Sequence, residues 1–361
     1  MNITDIAYLR LFNQLLIGSE YKTAKEIVSR MGAMQAQDYS MAKWAIGIRL
    51  PGSTEKTIEA ALDEGEILRS HLMRPTWHFV SSDDIYWLLE LSAPQIKVIQ
   101  TARDKVLQLN ENIYRKSNFI IENALQGGEH LSREELALEL DTASIPTDYN
   151  KISHYLLRAE IDGIICSGNI KNNKNTYTLL EERIPRPKKI TREEATSRLV
   201  QIYFTSHGPA TIQDFIWWSG LSITESKRAL ERVKSDLLSE TIDNQTYWFP
   251  NTLSIPEPDK NTVILLPSFD EFIISYRDRT ASLPFEEHNK AVSNNGSFRP
   301  IIVVNGQVAG LWKRTTQKDN VTLETELFQP VSNTIQNLIE EGVHQYEVFL
   351  NKKVELVTVS K

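Results

Sequence analysis

Apolar residues recur at three- and four-residue spacing through the first two-thirds of the chain, then in short runs and alternations. Over 3–17, Ile3, Ile6, Leu9, Leu11 and Leu15 keep near-helical spacing up to the Gly18-Ser19 stop, so a helix is expected there. A second helix is expected from Thr23 through Ile27, Val28 and Met31, running into Gln35-Ala36-Gln37. Helices over 41–49 and 54–62 follow, then β-like runs at 67–73 and 76–80 around Arg74-Pro75. Helices followed by a two-stranded ribbon are the order of a winged helix. That order returns with helices at 83–91, 94–108 and 112–126, a capping box at Ser132-Arg133-Glu134-Glu135, a helix at 149–161, and a hairpin at 163–168 and 176–180 with its tip at 171–175. It returns again as helices at 191–204, 211–218 and 222–233 with a hairpin at 237–242 and 246–249. The short Ser219-Gly220-Leu221 turn between the last two helices gives the strongest helix-turn-helix signal.

The last hundred residues change character. Strands are expected at 262–267, 299–304, 307–314 and 321–328, with Asn305-Gly306 as a two-residue hairpin turn. A helix at 332–341 and a hairpin of 346–350 with 354–359 close the chain. The fold class expected is α+β, mainly α, with tandem winged-helix units and a β-rich C-terminal domain. The division reads 1–90, 91–183, a linker at 184–190, 191–258, and 259–361.

Composition narrows this picture only in places. A chain of 361 residues with 41% hydrophobic and 24% charged residues is an ordinary globular mixture that fills several domains. No apolar run approaches the roughly 18 residues that cross a bilayer. The first ten residues lack a signal-peptide pattern, and a cytoplasmic protein is expected. The single cysteine, Cys166, excludes an internal disulfide and a cysteine-based zinc site. A net charge of −7 argues against a surface that grips nucleic acid everywhere. Local basic stretches remain: 183–189 carries four positive charges, and 69–78 carries Arg69, His71, Arg74 and His78, both without an acid.

The chemistry centres on Gln35-Ala36-Gln37. Neither glutamine ionises, but each offers an acceptor oxygen and two N–H donors, enough to hold and aim a water molecule. Taken alone, the triplet is two solvated amides near a helix end.

Further words accompany it: Arg74-Pro75-Thr76-Trp77-His78, Asp214-Phe215 with Trp218-Ser219-Gly220-Leu221, Leu265-Leu266-Pro267 with Phe269-Asp270, Tyr276 and Asp278-Arg279, then Gly310 and Trp312. With Met34-Gln35-Ala36-Gln37 at their head, they resemble in order and spacing the winged-helix DNA-binding family of AlkZ-like and YcaQ-like DNA glycosylases, from about residue 5 to about residue 350. The resemblance implies tandem winged helices and a β-rich part around a concave DNA channel. It implies excision of N-alkylated purines in DNA repair, including the unhooking of interstrand crosslinks. Its catalytic signature is glutamine, an apolar residue, then glutamine or aspartate; Gln35-Ala36-Gln37 fits the Gln-x-Gln branch, with alanine small for the middle position.

A purine alkylated at N7 or N3 is already cationic and leaves without protonation. The enzyme then has to stabilise a sugar of oxocarbenium character and place water at C1′. On this reading Gln37 positions the water and Gln35 supports it or the sugar. Asp38 is either electrostatic support or the cap of the next helix. Arg69, Arg74, His78, Lys313 and Arg314 are expected to contact DNA, the last two ahead of a polar turn at 315–320. Asp270 and Arg279 are expected to pair and hold the C-terminal sheet, and Phe215, Trp217 and Trp218 to be core. No catalytic lysine, metal or cofactor is expected. The partner is double-stranded DNA carrying alkylated or crosslinked purines, and the protein a monomer. The alternatives are a non-catalytic winged-helix regulator, whose recognition helices would be rich in base-reading side chains, and a protein-binding module. The 222–233 helix mixes Lys227, Arg228 and Arg232 with Glu225 and Glu231.

Overall fold

Short polar residues ahead of each apolar stripe start most of the helices, and the computed structural model describes residues 1–172, 174–251, 261–317 and 320–358. Asn173 of the 171–175 tip, residues 252–258 of the third expected unit, positions 318–319 of the polar turn and position 359 of the last strand lie outside the described residues. α1 (Ile3–Asn13) opens on the Asn2 cap. There follow α2 (Ala24–Met31), β1 (Met34–Gln35), α3 (Tyr39–Gly47), α4 (Glu55–Asp63), β2 (Ile67–Leu72) and β3 (Thr76–Ser81). After α5 (Ile85–Val106) the series repeats as α6 (Glu111–Leu125), β4 (Leu131–Ser132), α7 (Arg133–Thr142), α8 (Tyr149–Ile161), β5 (Ile165–Ser167) and β6 (Thr176–Leu179). The short α9 (Leu180–Arg183) leads to α10 (Arg192–His207), α11 (Ile212–Ser219), α12 (Ile223–Val233), β7 (Leu237–Ile242) and β8 (Gln245–Pro250). The first two sheets have the same order, β1-β3-β2 and β4-β6-β5. In the third series a bridge from Ala210 to Trp248 stands where the short first strand stood. Helix, strand, two helices and a hairpin is winged-helix connectivity.

The C-terminal part comprises β9 (Val263–Leu266), α13 (Glu271–Ile274), α14 (His288–Ala291), β10 (Ile301–Val304), β11 (Gln307–Gln317), β12 (Asn320–Leu327), α15 (Asn333–Leu350) and β13 (Lys353–Thr358). Its five-stranded sheet runs β13-β12-β11-β10-β9. β13 lies parallel to β12 because α15 carries the chain across the sheet between them. Asn305 and Gly306 turn β10 into β11 with φ of 52° and 83°, as a two-residue hairpin requires.

Several expected elements change. Residues 346–350 are the end of α15, not a strand: Ile339, Val343, Tyr346 and Phe349 bury one helical stripe that simply continues. The helices expected at 83–91 and 94–108 are one, with Pro94 inside. Ile85, Leu88, Leu89 and Ile96 form one buried face across that proline, and this packing outweighs the roughly 3 kcal/mol that an interior proline costs. β11 continues to Gln317, so 315–317 are strand.

The β2–β3 ribbon is clamped between two cores. Ile67 and Phe79 enter one with Trp44, Leu265, Trp312 and Tyr346. Leu68, Leu72 and Val80 enter the other with Tyr203, Phe215, Trp218 and Tyr276. This is strand alternation with both faces buried, each large apolar side chain contributing roughly 1.5–3 kcal/mol. The second series has its own core around Leu136, Tyr155 and Tyr177. It joins the ribbon through His71 Nδ1 and Glu160 Oε2 at 2.5 Å and through the Arg69 N–H, which donates to Ser167 Oγ at 2.9 Å. Tyr8 and Leu11 of α1 pack on Ile264 and Leu266 of the C-terminal sheet. Asp270 pairs with Arg49, not Arg279: both Nη atoms reach the carboxylate at 2.8 Å. The Arg279 Nε–H donates instead to the Ile273 carbonyl at 3.0 Å. Among the described residues no helix is long and apolar enough to cross a membrane.

Candidate active site

The triplet sits where a helix has been stopped so that a strand can begin. Gly32 ends α2 with φ 77°, a left-handed conformation that glycine adopts without a Cβ penalty. A side chain there would also meet Ile202 Cγ2 at 2.8 Å. The chain then extends: Met34 and Gln35 pair with Phe79 and His78, and the Ala36 N–H donates to the Trp77 carbonyl at 2.7 Å. The triplet is therefore a strand and its exit rather than a helix end. Asp38 caps α3 by accepting the Met41 N–H at 3.1 Å. Gln37, between strand end and helix cap, is exposed, whereas Gln35 is 6% exposed. The Gln35 side-chain oxygen is buried and has no hydrogen-bond partner among the described residues, an arrangement that costs free energy until something donates to it.

Behind Gln35 stands Glu271, 1% exposed, at the start of α13. Its Oε1 accepts the Gln35 N–H at 2.6 Å, and its Oε2 accepts the Trp218 Nε1–H at 3.1 Å and the Ser275 hydroxyl. His207 Nε2 lies 3.7 Å from the same oxygen. Burial pushes the carboxyl up, but His207, Ser275 and the Gln35 amide outweigh it and bring it down to about 2. Burial lowers His207 itself, and its contact with Glu271 opposes that shift. A fixed negative charge thus lies one hydrogen bond behind the first glutamine. Sequence reasoning missed Glu271 and His207. The one signal was a second acid directly after Asp270, and nothing linear connects it to Gln35.

A model of the AlkZ-like DNA glycosylase family matches residues 28–349. The chain belongs to that family. The interstrand DNA cross-link repair glycosylase of Streptomyces sahachiroi is 24% identical to it over 333 residues, covering 87% of this chain and 88% of the relative. The structure of Streptomyces sahachiroi DNA glycosylase AlkZ shares the fold, with a TM-score of 0.83 at 18% identity over 99% of this chain and 100% of that one. The AlkZ-like assignment makes the chain a DNA glycosylase rather than a regulator.

Of the residues expected to touch DNA, the structure brings Arg69 and His78 against the AlkZ-like triplet. Arg69, 7% exposed, donates from Nε and Nη2 to the Ala36 carbonyl at 3.1 and 2.9 Å, with its guanidinium 4.2 Å from the Trp77 ring centroid. It fastens the residue between the glutamines and is not on the surface. His78 is 1% exposed and donates from Nδ1 to the Thr76 carbonyl at 2.9 Å. Burial first, with Arg74 nearby, lowers it to about 4. Neutral and enclosed, it cannot serve as a phosphate-binding cation, which corrects that expectation. Arg74 donates to the Trp217 carbonyl at 3.0 Å from a solvent-facing Nη1. The remaining pair lies on β11, where consecutive side chains take opposite faces. Arg314 donates to the Tyr346 hydroxyl at 2.5 Å, and Lys313 is exposed with Glu324 at 3.7 Å. Only Lys313 of the two faces outward. Trp217 is a further correction: Phe215 and Trp218 are core, but Trp217 is 40% exposed.

Proposed function

We propose that this chain is a monofunctional DNA glycosylase that hydrolyses the N-glycosidic bond of N7- or N3-alkylated purines in double-stranded DNA, acting as a monomer. The Streptomyces sahachiroi relative is an interstrand DNA cross-link repair glycosylase, and we extend crosslinked purines to this chain as substrates. The observation that carries the reading is the buried, unpartnered oxygen of Gln35, held by a strand whose N–H is fixed on an ionised glutamate. A cationic purine needs no general acid. Gln37, exposed at the strand exit, aims the water at C1′, and the Gln35 oxygen faces the water or the positive sugar. Glu271 is a positioning residue: it fixes the Gln35 backbone and adds a negative charge on the side where positive charge develops.

A purely regulatory winged helix has no use for such a buried acid behind two amides. On α12, Arg232 pairs with Glu193 and Glu225 with Arg192, while Lys227 and Arg228 are exposed. The test is release of free base from a duplex containing N7-methylguanine. No release under single-turnover conditions would overturn the reading.

A further inference from the structure

Next in the chain to Trp218, which bonds the Glu271 that holds Gln35, lies a cluster that the hydrolysis itself does not use. The Arg74 and Arg279 guanidiniums both rest on the Trp217 indole, at 5.1 and 5.5 Å from its ring centroid. Arg279 also lies 5.1 Å from the Phe298 ring centroid. Their hydrogen bonds go to backbone carbonyls, those of Trp217 for Arg74 and of Ile273 and Arg277 for Arg279. Among the described residues neither has a carboxylate within ion-pair distance.

The nearby acids are committed elsewhere. Glu271 holds Gln35 and Trp218, Asp214 accepts the Thr211, Arg277 and Asp278 N–H groups, and Asp278 accepts from Thr280. Burial first and then the Arg74 charge lower Arg279 to about 10, and the more distant Asp214 and Asp278 do not offset them: two like charges crowd one site. Trp217 holds its place by donating from Nε1 to the Ile274 carbonyl at 3.0 Å. The cluster is tied to the triplet from both sides: Arg74 begins the turn into β3, which pairs with Gln35, and Trp218 touches Glu271.

We propose that Arg74 and Arg279, supported on Trp217, clamp one phosphate of the DNA backbone beside the nucleotide under attack. A phosphodiester supplies the missing negative charge, and guanidinium forks fit its oxygens. The inference rests on the glycosylase reading for its ligand, but its test does not depend on excision. Binding of a fluorescein-labelled duplex is followed by anisotropy across a sodium chloride series. The Arg74→Gln/Arg279→Gln double variant binds about tenfold more weakly, and the slope of log K against log salt becomes shallower by about 0.9, one phosphate's share. The loss is equal on undamaged and N7-methylguanine duplexes. Arg279→Lys in an otherwise native chain keeps most of the slope. A double variant that melts like the native protein and keeps its slope overturns the clamp. Should that variant fail to fold, Arg279→Gln alone is read by the same slope. Wild-type excision is measured in parallel: its absence would remove the glycosylase reading, while the clamp still stands or falls on the slope.

Discussion

Replacing Glu271 by glutamine keeps the side chain's shape and removes its charge. Three donors converge on the carboxylate: the Gln35 N–H at 2.6 Å, the Trp218 indole N–H at 3.1 Å and the Ser275 hydroxyl. An amide has one acceptor oxygen and must turn an N–H toward one of the two sides. At least one buried donor then faces another donor, which costs about 1–3 kcal/mol, and the surviving bonds lose charge assistance worth about 1 kcal/mol more. Proton linkage gives a loss of similar size. A carboxyl held near 2 instead of 4.5 contributes roughly 3 kcal/mol. Because the folded value is depressed, that contribution is full above about pH 4.5 and is lost as pH falls toward 2. Glu271→Gln therefore lowers the unfolding free energy by about 2–4 kcal/mol near neutral pH, measured by urea denaturation, and flattens the acid limb. The Gln35 backbone loses its anchor, and a misplacement of about 1 Å is enough for a loss near 100-fold in single-turnover excision. Duplex affinity changes little, since the buried side chain touches no DNA. A variant with the stability loss but native excision rate would refute the positioning role and leave Glu271 as structural glue.

Other outcomes follow from the same geometry. His78 is held near 4 rather than 6.5, so the folded state takes up its proton less readily than the unfolded one. Stability then declines as pH falls from about 6.5 to about 4, by roughly 3 kcal/mol, and His78→Asn removes that slope in a denaturation series. Arg69→Gln frees the Ala36 carbonyl and lowers the excision rate about tenfold with duplex affinity and its salt dependence unchanged; a shallower salt slope with a native rate would make Arg69 a DNA contact instead. Arg49→Ala strands the buried Asp270 carboxylate and costs about 3–5 kcal/mol in denaturant; a cost below about 1 kcal/mol would show that water reaches the pair.

Periodicity carried most of the architecture into view. The helix-turn-helix of α11 and α12 was legible because Gly220 and Ser222 mark a stop and a start at the right spacing, and the Asn305-Gly306 turn because few dipeptides favour positive φ twice. The short β1 and β4 were not legible, since two residues are too few to alternate; their pairing is set by the ribbons they dock on. Tyr346 and Phe349 misled because an aromatic, β-favouring run and a helix end look alike over five residues. Gln35 and Gln37 were found as words, but their inequality, one enclosed and one exposed, comes from Gly32 turning the chain into a strand. Asp270 looked like Arg279's partner because both follow the same strand, yet Arg49 from α3's end fills the place. That substitution leaves Arg279 with Arg74 on the Trp217 indole, a pair of cations that local sequence does not show.

Single-turnover release of N7-methylguanine from duplex DNA, comparing the native chain with Gln37→Ala and Gln35→Ala, tests the central claim most directly. The account predicts release by the native chain, a fall of at least 100-fold for Gln37→Ala and a smaller but clear fall for Gln35→Ala, with all three binding the duplex alike. Native-rate release by Gln37→Ala would contradict it.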